Sequence, residues 1–260
     1  MTDHEEALRG GGMAPVVRVG DTVRRKTGPW TAAVHALLRY LDAVGFDGAP
    51  RVLGIDQQGR EVLSYIQGDP RIGHFPASID HDAALVAAAR LIRRYHDAVA
   101  GFVPPAGSAW RFMVGAPRDG IVCHNDLAPA NTVYTAGQPR AFIDWDFAAP
   151  ASPVWDLAYA AWRFVGLYSD EDCRRLGFPA DPRGPRLRLF CDAYGLQERD
   201  GFVDLIRTRQ QALYDTVRAL GEAGDPDFAP IWHQTRGEQW LRTMRYLGSQ
   251  RAEWQSHLMG

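Results

Sequence analysis

The sequence predicts an α+β fold in two unequal parts: a small antiparallel sheet carrying one helix over residues 1–68, and a larger, mainly helical part over 69–260. Three observations lead to it. Short apolar and alternating runs separated by Gly and Asp fill the first 66 residues, helical-period runs dominate after residue 147, and Gln67-Gly68-Asp69-Pro70 breaks the pattern between them. The boundary is expected within residues 67–78. A chain of 260 residues buries roughly 75% of its extended surface on folding, so neither disulfides nor structural metal are needed to hold its core.

In chain order, Val17 and Val19 alternate ahead of Gly20-Asp21, with Val23 and Arg25 alternating after it, so a hairpin follows a glycine-rich loop, Leu8-Arg9-Gly10-Gly11-Gly12. Thr31 is placed to cap a helix from Ala32 to about Val44, with Val34, Leu37, Leu38 and Leu41 at helical spacing and Gly45 as its stop. Strands are expected at Arg51–Ile55 and Glu61–Ile66. Asp80 or Ser78 can cap a long helix to about Val99 that buries Leu85, Ala88, Ala89, Leu91, Ile92 and Tyr95. Ile121-Val122-Cys123, Thr132-Val133-Tyr134 and Ala141-Phe142-Ile143 read as short buried strands, with Ala136-Gly137-Gln138-Pro139 as a turn. Helices follow at Trp155–Phe164, Asp170–Leu176, Arg186–Tyr194, Phe202–Leu220 and Pro230–Leu247.

Composition narrows the function. The formal charge of −2 provides no overall field for nucleic acid or an anionic membrane. Cys123, Cys173 and Cys191 are odd in number and lack Cys-x-x-Cys spacing, which suits a reducing compartment and small buried side chains rather than a disulfide framework or zinc ribbon. The first residues have no basic and apolar leader pattern, and no apolar window reaches membrane-spanning length, so a cytoplasmic chain with no membrane partner is expected. Of its 29 basic residues, Lys26 alone is lysine.

The chemistry concentrates between Ile121 and Phe147. His124-Asn125-Asp126-Leu127 with Asn131, followed by Ile143-Asp144-Trp145-Asp146, puts three carboxylates and an asparagine within 21 residues. The expected strands bring Asp126, Asn131 and Asp144 to the same ends of neighbouring strands. Phosphoryl transfer needs such a set: a carboxylate to orient a hydroxyl and take its proton, and oxygen ligands for a cation on the nucleotide phosphates. Asp126 is the candidate catalytic base, and Asn131 and Asp144 are the candidate metal ligands.

This spacing resembles the aminoglycoside phosphotransferase and choline kinase superfamily, small-molecule relatives of protein kinases, with their His-x-Asp-x-x-x-x-Asn loop and Ile-Asp-Trp-Asp strand. Asn125 stands where protein kinases carry arginine, and Trp145 stands where they carry Phe. Pro153-Val154-Trp155-Asp156-Leu157-Ala158 and Leu91-Ile92-Arg93-Arg94-Tyr95-His96 resemble the flanking helices of that family. The resemblance implies a bilobal, protein-kinase-like fold. It also implies a magnesium-dependent kinase that moves phosphate from ATP, with GTP as the other possible donor, to the hydroxyl of a small molecule. Gly10, Gly11 and Gly12 would then approach the nucleotide phosphates, and backbone at Ser64, Tyr65 and Ile66 would hold the base. Arg25, or else Lys26, would contact the phosphates.

Two departures stand out. The helix acid that should pair with that basic residue aligns with Val34, beside His35, and Ala128 replaces a His or Lys found in many relatives. A nucleotide-binding pseudokinase with a sensing or scaffolding role is therefore the alternative. A metal hydrolase using His124, Asp126, Asp144 and Asp146 accounts for neither the glycine loop nor Asn131. Among the neighbouring residues, His124 is expected to be structural, paired with Asp144 or Asp156. Asp146 is a secondary metal candidate, and Asp156 reads as a helix N-cap. Trp155, Tyr159, Trp162 and Phe164 read as core. Arg90, Arg93 and Arg94 read as a solvated face. Asp170, Glu171 and Asp172, or Asp200 and Asp204, would suit a cationic acceptor. Acceptor identity and oligomeric state stay open.

Overall fold

The computed structural model describes residues 4–8, 16–70, 81–179 and 182–260. Gly10, Gly11 and Gly12, the caps expected at Ser78 or Asp80, and most of the boundary expected at 67–78 lie outside these residues.

The first part is an antiparallel sheet of β1 (Glu6–Ala7), β2 (Val17–Val19), β3 (Thr22–Arg25), β4 (Val52–Ile55) and β5 (Glu61–Ser64), in the order β1-β2-β3-β5-β4. Gly20, at φ +59°, turns the β2–β3 hairpin, a conformation that costs glycine little. The β3–β5 register sets Arg25 opposite Glu61, which matters for the site. Helix α1 (Thr31–Ala43) buries Leu37, Leu38 and Leu41 in one core with Leu63 of β5. Its start differs from the expected cap: Thr31 is already helical, Trp30 holds the N-cap position, and the Thr31 hydroxyl accepts the Gly28 N–H at 2.8 Å. Gly45, at φ +79°, lies just past the helix end.

Beyond the two residues of β6 (Asp69–Pro70), helix α2 (His81–Val99) buries the whole expected stripe from Leu85 to Tyr95. Strand β7 (Ile121–Cys123) pairs with β10 (Ala149–Ala151), and β8 (Thr132–Thr135) pairs with both β6 and β9 (Gln138–Phe142). The turn between β8 and β9 places Ala136 and Gly137 both at positive φ, 49° and 78°. These strands do one thing for function. They deliver the His124–Ala128 loop, a single 3-10 turn at Pro129–Asn131, and the Ile143–Ala148 connection to one place.

The remainder is helical: α3 (Pro153–Val165), α4 (Asp170–Leu176), α5 (Arg183–Tyr194), α6 (Phe202–Glu222), α7 (Ala229–Thr235) and α8 (Glu238–Met259). Ser169 caps α4 by accepting the Asp172 N–H at 3.2 Å, ahead of three acids in the first turn that favour the positive end of the helix dipole. The single last helix expected at Pro230–Leu247 is two. Arg236 and Gly237, at φ 47° and 74°, break the chain between α7 and α8, and α8 runs twelve residues further, to Met259. All three cysteines are free and buried. No helix among the described residues is long and apolar enough to cross a membrane.

Candidate active site

Asp126 lies in the loop that leaves β7, partly open to solvent. Both of its carboxylate oxygens are held. Oδ2 accepts the Asn131 Nδ2–H at 2.7 Å, and Oδ1 accepts the Tyr159 hydroxyl of α3 at 2.7 Å. Asn131 also donates to the Asp126 backbone carbonyl at 2.9 Å, closing the loop on itself. Burial raises the Asp126 pKa above its ordinary value, the Tyr159 hydrogen bond opposes that shift, and the Asp144 charge adds to it. The tyrosine is a component that sequence reading assigned to the core. It is buried, yet its hydroxyl ends on Asp126, and only the packing of α3 against the loop reveals this.

The loop hangs from Asp156. This carboxylate, 0% exposed, accepts the His124 N–H at 3.0 Å and the Asn125 N–H at 2.9 Å, and contacts His96 Nε2 at 3.2 Å. The helix cap expected at Asp156 is therefore displaced: Ser152 holds the N-cap position, and Asp156 points back to the loop. His96, Cys123 and Asp156 form a buried cluster of metal-ligating types, but these hydrogen bonds already account for the carboxylate.

His124 is structural, although its ring meets neither expected aspartate. Nε2 lies 3.1 Å from the Ile143 carbonyl and Nδ1 accepts the Asp126 N–H at 3.3 Å, so the proton sits on Nε2. Burial lowers its pKa and favours that neutral form. Asn125 adopts φ +62°, which asparagine tolerates better than most residues. Its Nδ2 reaches the carbonyls of Phe147 and Ala149, each at 3.2 Å, fastening the loop to the strand beyond Asp146. A guanidinium reaches this loop from α6 instead: Arg209 Nη2 donates to the Asn125 carbonyl at 2.5 Å.

Asn131 and Asp144 are drawn together by the Ile143 N–H, which donates to the Asn131 carbonyl at 2.9 Å. Asp144 has φ +63°, uncommon for a non-glycine residue, and a side chain 48% exposed. The sheet then presents Arg25 to both acids of this segment, Asp144 at 3.1 Å and Asp146 at 2.5 Å, while its Nε meets Glu61 at 3.0 Å. Burial opposes the Arg25 charge, but the three carboxylates outweigh it and raise the pKa further. Burial likewise pushes Asp146 up to about 6, against the pull of Arg25. Arg25 meets Asp144 and Asp146, whereas Lys26 lies just past β3 and is exposed.

The missing helix acid is replaced from another element. Val34 is buried in the core, and His35, its neighbour on α1, lies 2.8 Å from the second Glu61 oxygen. The Arg25–Glu61–His35 chain ties β3, β5 and α1 together. Glu61 was visible in the sequence only as a strand residue. Its pairing depends on the β3–β5 register.

At the end of β5, Ser64 donates its N–H to Arg51 O at 2.9 Å and Tyr65 donates to Asp21 O at 2.8 Å. The Ile66 N–H has no hydrogen-bond partner among the described residues, which leaves it available as a donor. Ser64, Tyr65 and Ile66 also border a cavity of about 400 Å³ with Leu38, Phe46 and Arg140, whose lining does not include Asp126, Asn131 or Asp144.

A small antiparallel sheet with one helix, set on a helical part whose loops present Asp126, Asn131 and Asp144, defines a kinase-like phosphotransferase architecture. Residues 109–190 match the model of the phosphotransferase enzyme family. The trifolitoxin immunity protein of Rhizobium leguminosarum bv. trifolii is 37% identical over 252 residues, covering 91% of this chain and 94% of that protein. The chain belongs to the phosphotransferase enzyme family. Its fold is similar to a choline/ethanolamine kinase family protein from Mesorhizobium loti (TM-score 0.58, 17% identity, 95% of this chain and 92% of that one). It is also similar to an amicoumacin kinase bound to AMP-PNP and Ca2+ (TM-score 0.61, 13% identity, 92% and 88%).

Proposed function

We propose that this chain transfers the γ-phosphoryl group of ATP, or of GTP, to a hydroxyl of a small molecule in a magnesium-dependent reaction. The observation that carries this reading is Asp126, a partly open carboxylate aimed by Asn131 and Tyr159 beside the Asp144 segment. As the acceptor oxygen bonds to the γ-phosphorus, its proton passes to the Asp126 carboxylate. The bond from that phosphorus to the β–γ bridging oxygen breaks, and the nucleoside diphosphate leaves with the electron pair.

The oxygen donors fit magnesium. Asn131 spends its amide nitrogen on Asp126, which leaves its carbonyl oxygen for a cation, and Asp144 is half exposed. These two residues would hold the ion, which when bound neutralises charge on the phosphate oxygens. Arg25 then exchanges Asp144 for the α- and β-phosphates, with Glu61 keeping it in place. Ser64, Tyr65 and Ile66 hold the base, the Ile66 N–H being the free donor, and backbone at Gly10, Gly11 and Gly12 covers the phosphates.

Arg25→Ala is expected to lower kcat/KM by about 100-fold, the scale of losing one charge-stabilising donor in a reaction site. Steady-state kinetics with varied nucleotide check this. The pH dependence has a definite sign. Asp126 works ionised and its pKa is raised, so kcat/KM falls as the pH drops through a value above the ordinary aspartate range, about 3.9. A pH–rate profile in which Asp126 titrates at or below that value contradicts the assignment.

The relationship to an immunity protein directs the acceptor search to toxins and antibiotics, with phosphorylation as the protective step. The test is a screen of toxic and metabolic hydroxyl compounds for acceptor-dependent ADP release with magnesium. Stoichiometric ADP and phosphorylated acceptor support the reading. A second reading, a nucleotide-binding chain without turnover, rests on Arg25 already pairing both Asp144 and Asp146. It predicts a melting shift with ATP and magnesium, and no ADP from any acceptor.

A further inference from the structure

Two guanidinium groups near Asp126 make no direct contact with a carboxylate among the described residues. Helix α3 presents Tyr159 and, one turn later, Arg163, a spacing that sets side chains about 6 Å apart on one face. Tyr159 ends on Asp126 at 2.7 Å. The Arg163 guanidinium lies 5.8 Å from the Tyr159 ring centre and 5.3 Å from that of Trp162, and Asp126 is among the charges acting on it. Its Nε is buried without a partner, and among the described residues it forms neither a salt bridge nor a hydrogen bond.

A second guanidinium meets the same tyrosine. Arg209, 0% exposed, lies 4.4 Å from the Tyr159 ring centre, and its Nε and Nη1 have no partner. Trp155 and Trp162 add buried, unpartnered indole N–H groups. These unpartnered donors outnumber the unpartnered buried acceptors beside them, Asn125 Oδ1 and Gln210 Oε1.

Other buried or half-buried arginines of the helical part have carboxylate partners. Arg111, Arg183 and Arg186 are ion-paired with Asp225, Asp170 and Asp82. Three of the five acids that would suit a cationic acceptor are also ion-paired: Asp170 to Arg183, Asp172 to Arg175 and Arg242, and Asp204 to Arg251. A polycation arriving at Asp126 would face the Arg163 charge with the enclosed Arg209 behind it; an anion would be matched by Arg163.

We propose that the acceptor is a hydroxylated anion, with a carboxylate that pairs with Arg163 while a hydroxyl about one helical turn away reaches Asp126. Arg209, fully enclosed, contributes through its charge and holds Tyr159 in place. This inference rests on the phosphotransferase reading of the same site.

The test uses the full chain, wild type, Arg163→Gln and Arg163→Lys, with gluconate, malate and quinate, their neutral amides, and kanamycin as polycationic comparator. ADP release and ligand melting shifts are both read. The melting shift with magnesium–ATP reports whether each variant folds. The expected result is that hydroxy acids exceed their amides at least about tenfold in kcat/KM, that Arg163→Gln removes the difference, and that Arg163→Lys, which keeps charge without the planar fork, retains part of it. Equal use of acid and amide, preference for kanamycin, no shift with any carboxylate, or a preference unchanged in both variants would overturn it. Carboxylate binding that depends on Arg163 but yields no ADP keeps the anion site and overturns phosphotransfer. ADP release indifferent to acceptor charge does the reverse.

Discussion

Replacing Asp156 with alanine is expected to destabilise the chain by roughly 3–5 kcal/mol and to disorder the reaction loop, because a buried charge and its hydrogen bonds are removed together. Asp156 is 0% exposed and takes two consecutive backbone amides, those of His124 and Asn125, at 3.0 and 2.9 Å. Alanine leaves both N–H groups without an acceptor inside the protein, at about 1–3 kcal/mol each. His96 loses the same partner. Asp156→Asn keeps one accepting oxygen and the side-chain volume, so its penalty is smaller, and the pair of variants separates the hydrogen bonds from the packing. Urea denaturation provides the comparison. A midpoint for Asp156→Ala within experimental scatter of wild type would mean that the loop is anchored elsewhere.

Much of the architecture was legible because its signals are local. The hairpin at Gly20-Asp21, the buried stripe from Leu85 to Tyr95 and the strands around Asp126 and Asp144 each depend on spacing over a few residues. The boundaries that misled are those where the backbone departs from the local pattern. Thr31 has the chemistry of a cap, yet the helix begins one residue earlier than that role requires, and its hydroxyl accepts from Gly28 instead. Arg236 and Gly237 sit inside what reads as one helical run, and the break rests on two consecutive positive φ values, one of them at arginine.

The site divides in the same way. Asp126, Asn131 and Asp144 were readable because the spacing of one continuous stretch places them together. Glu61, Tyr159, Arg163 and Arg209 were not, since they come from β5, α3 and α6, outside that stretch. Glu61 depends on the register of β5 against β3, Tyr159 and Arg163 on the face that α3 turns to the loop, and Arg209 on the packing of α6. The apparent gap left by Val34 shows the same limit. A position-by-position reading finds an acid missing, whereas the folded chain supplies one across the sheet and seats it on His35.

The phosphotransfer account turns on Asp126→Asn. The amide keeps the shape of the carboxylate and one oxygen to accept the Tyr159 hydroxyl, so the loop and the nucleotide site should persist. It cannot take a proton from an acceptor hydroxyl, and its own nitrogen faces donors where the carboxylate faced them as an acceptor. The lost proton transfer should lower kcat by on the order of 10²–10⁴-fold. The measurement is transfer of labelled γ-phosphate from ATP with magnesium to an acceptor, wild type against Asp126→Asn, alongside the ATP-induced melting shift of each. The predicted result is labelled product from wild type, its near-complete loss in the variant, and the same melting shift in both. Labelled product formed at an undiminished rate by Asp126→Asn would contradict the role of Asp126 as base.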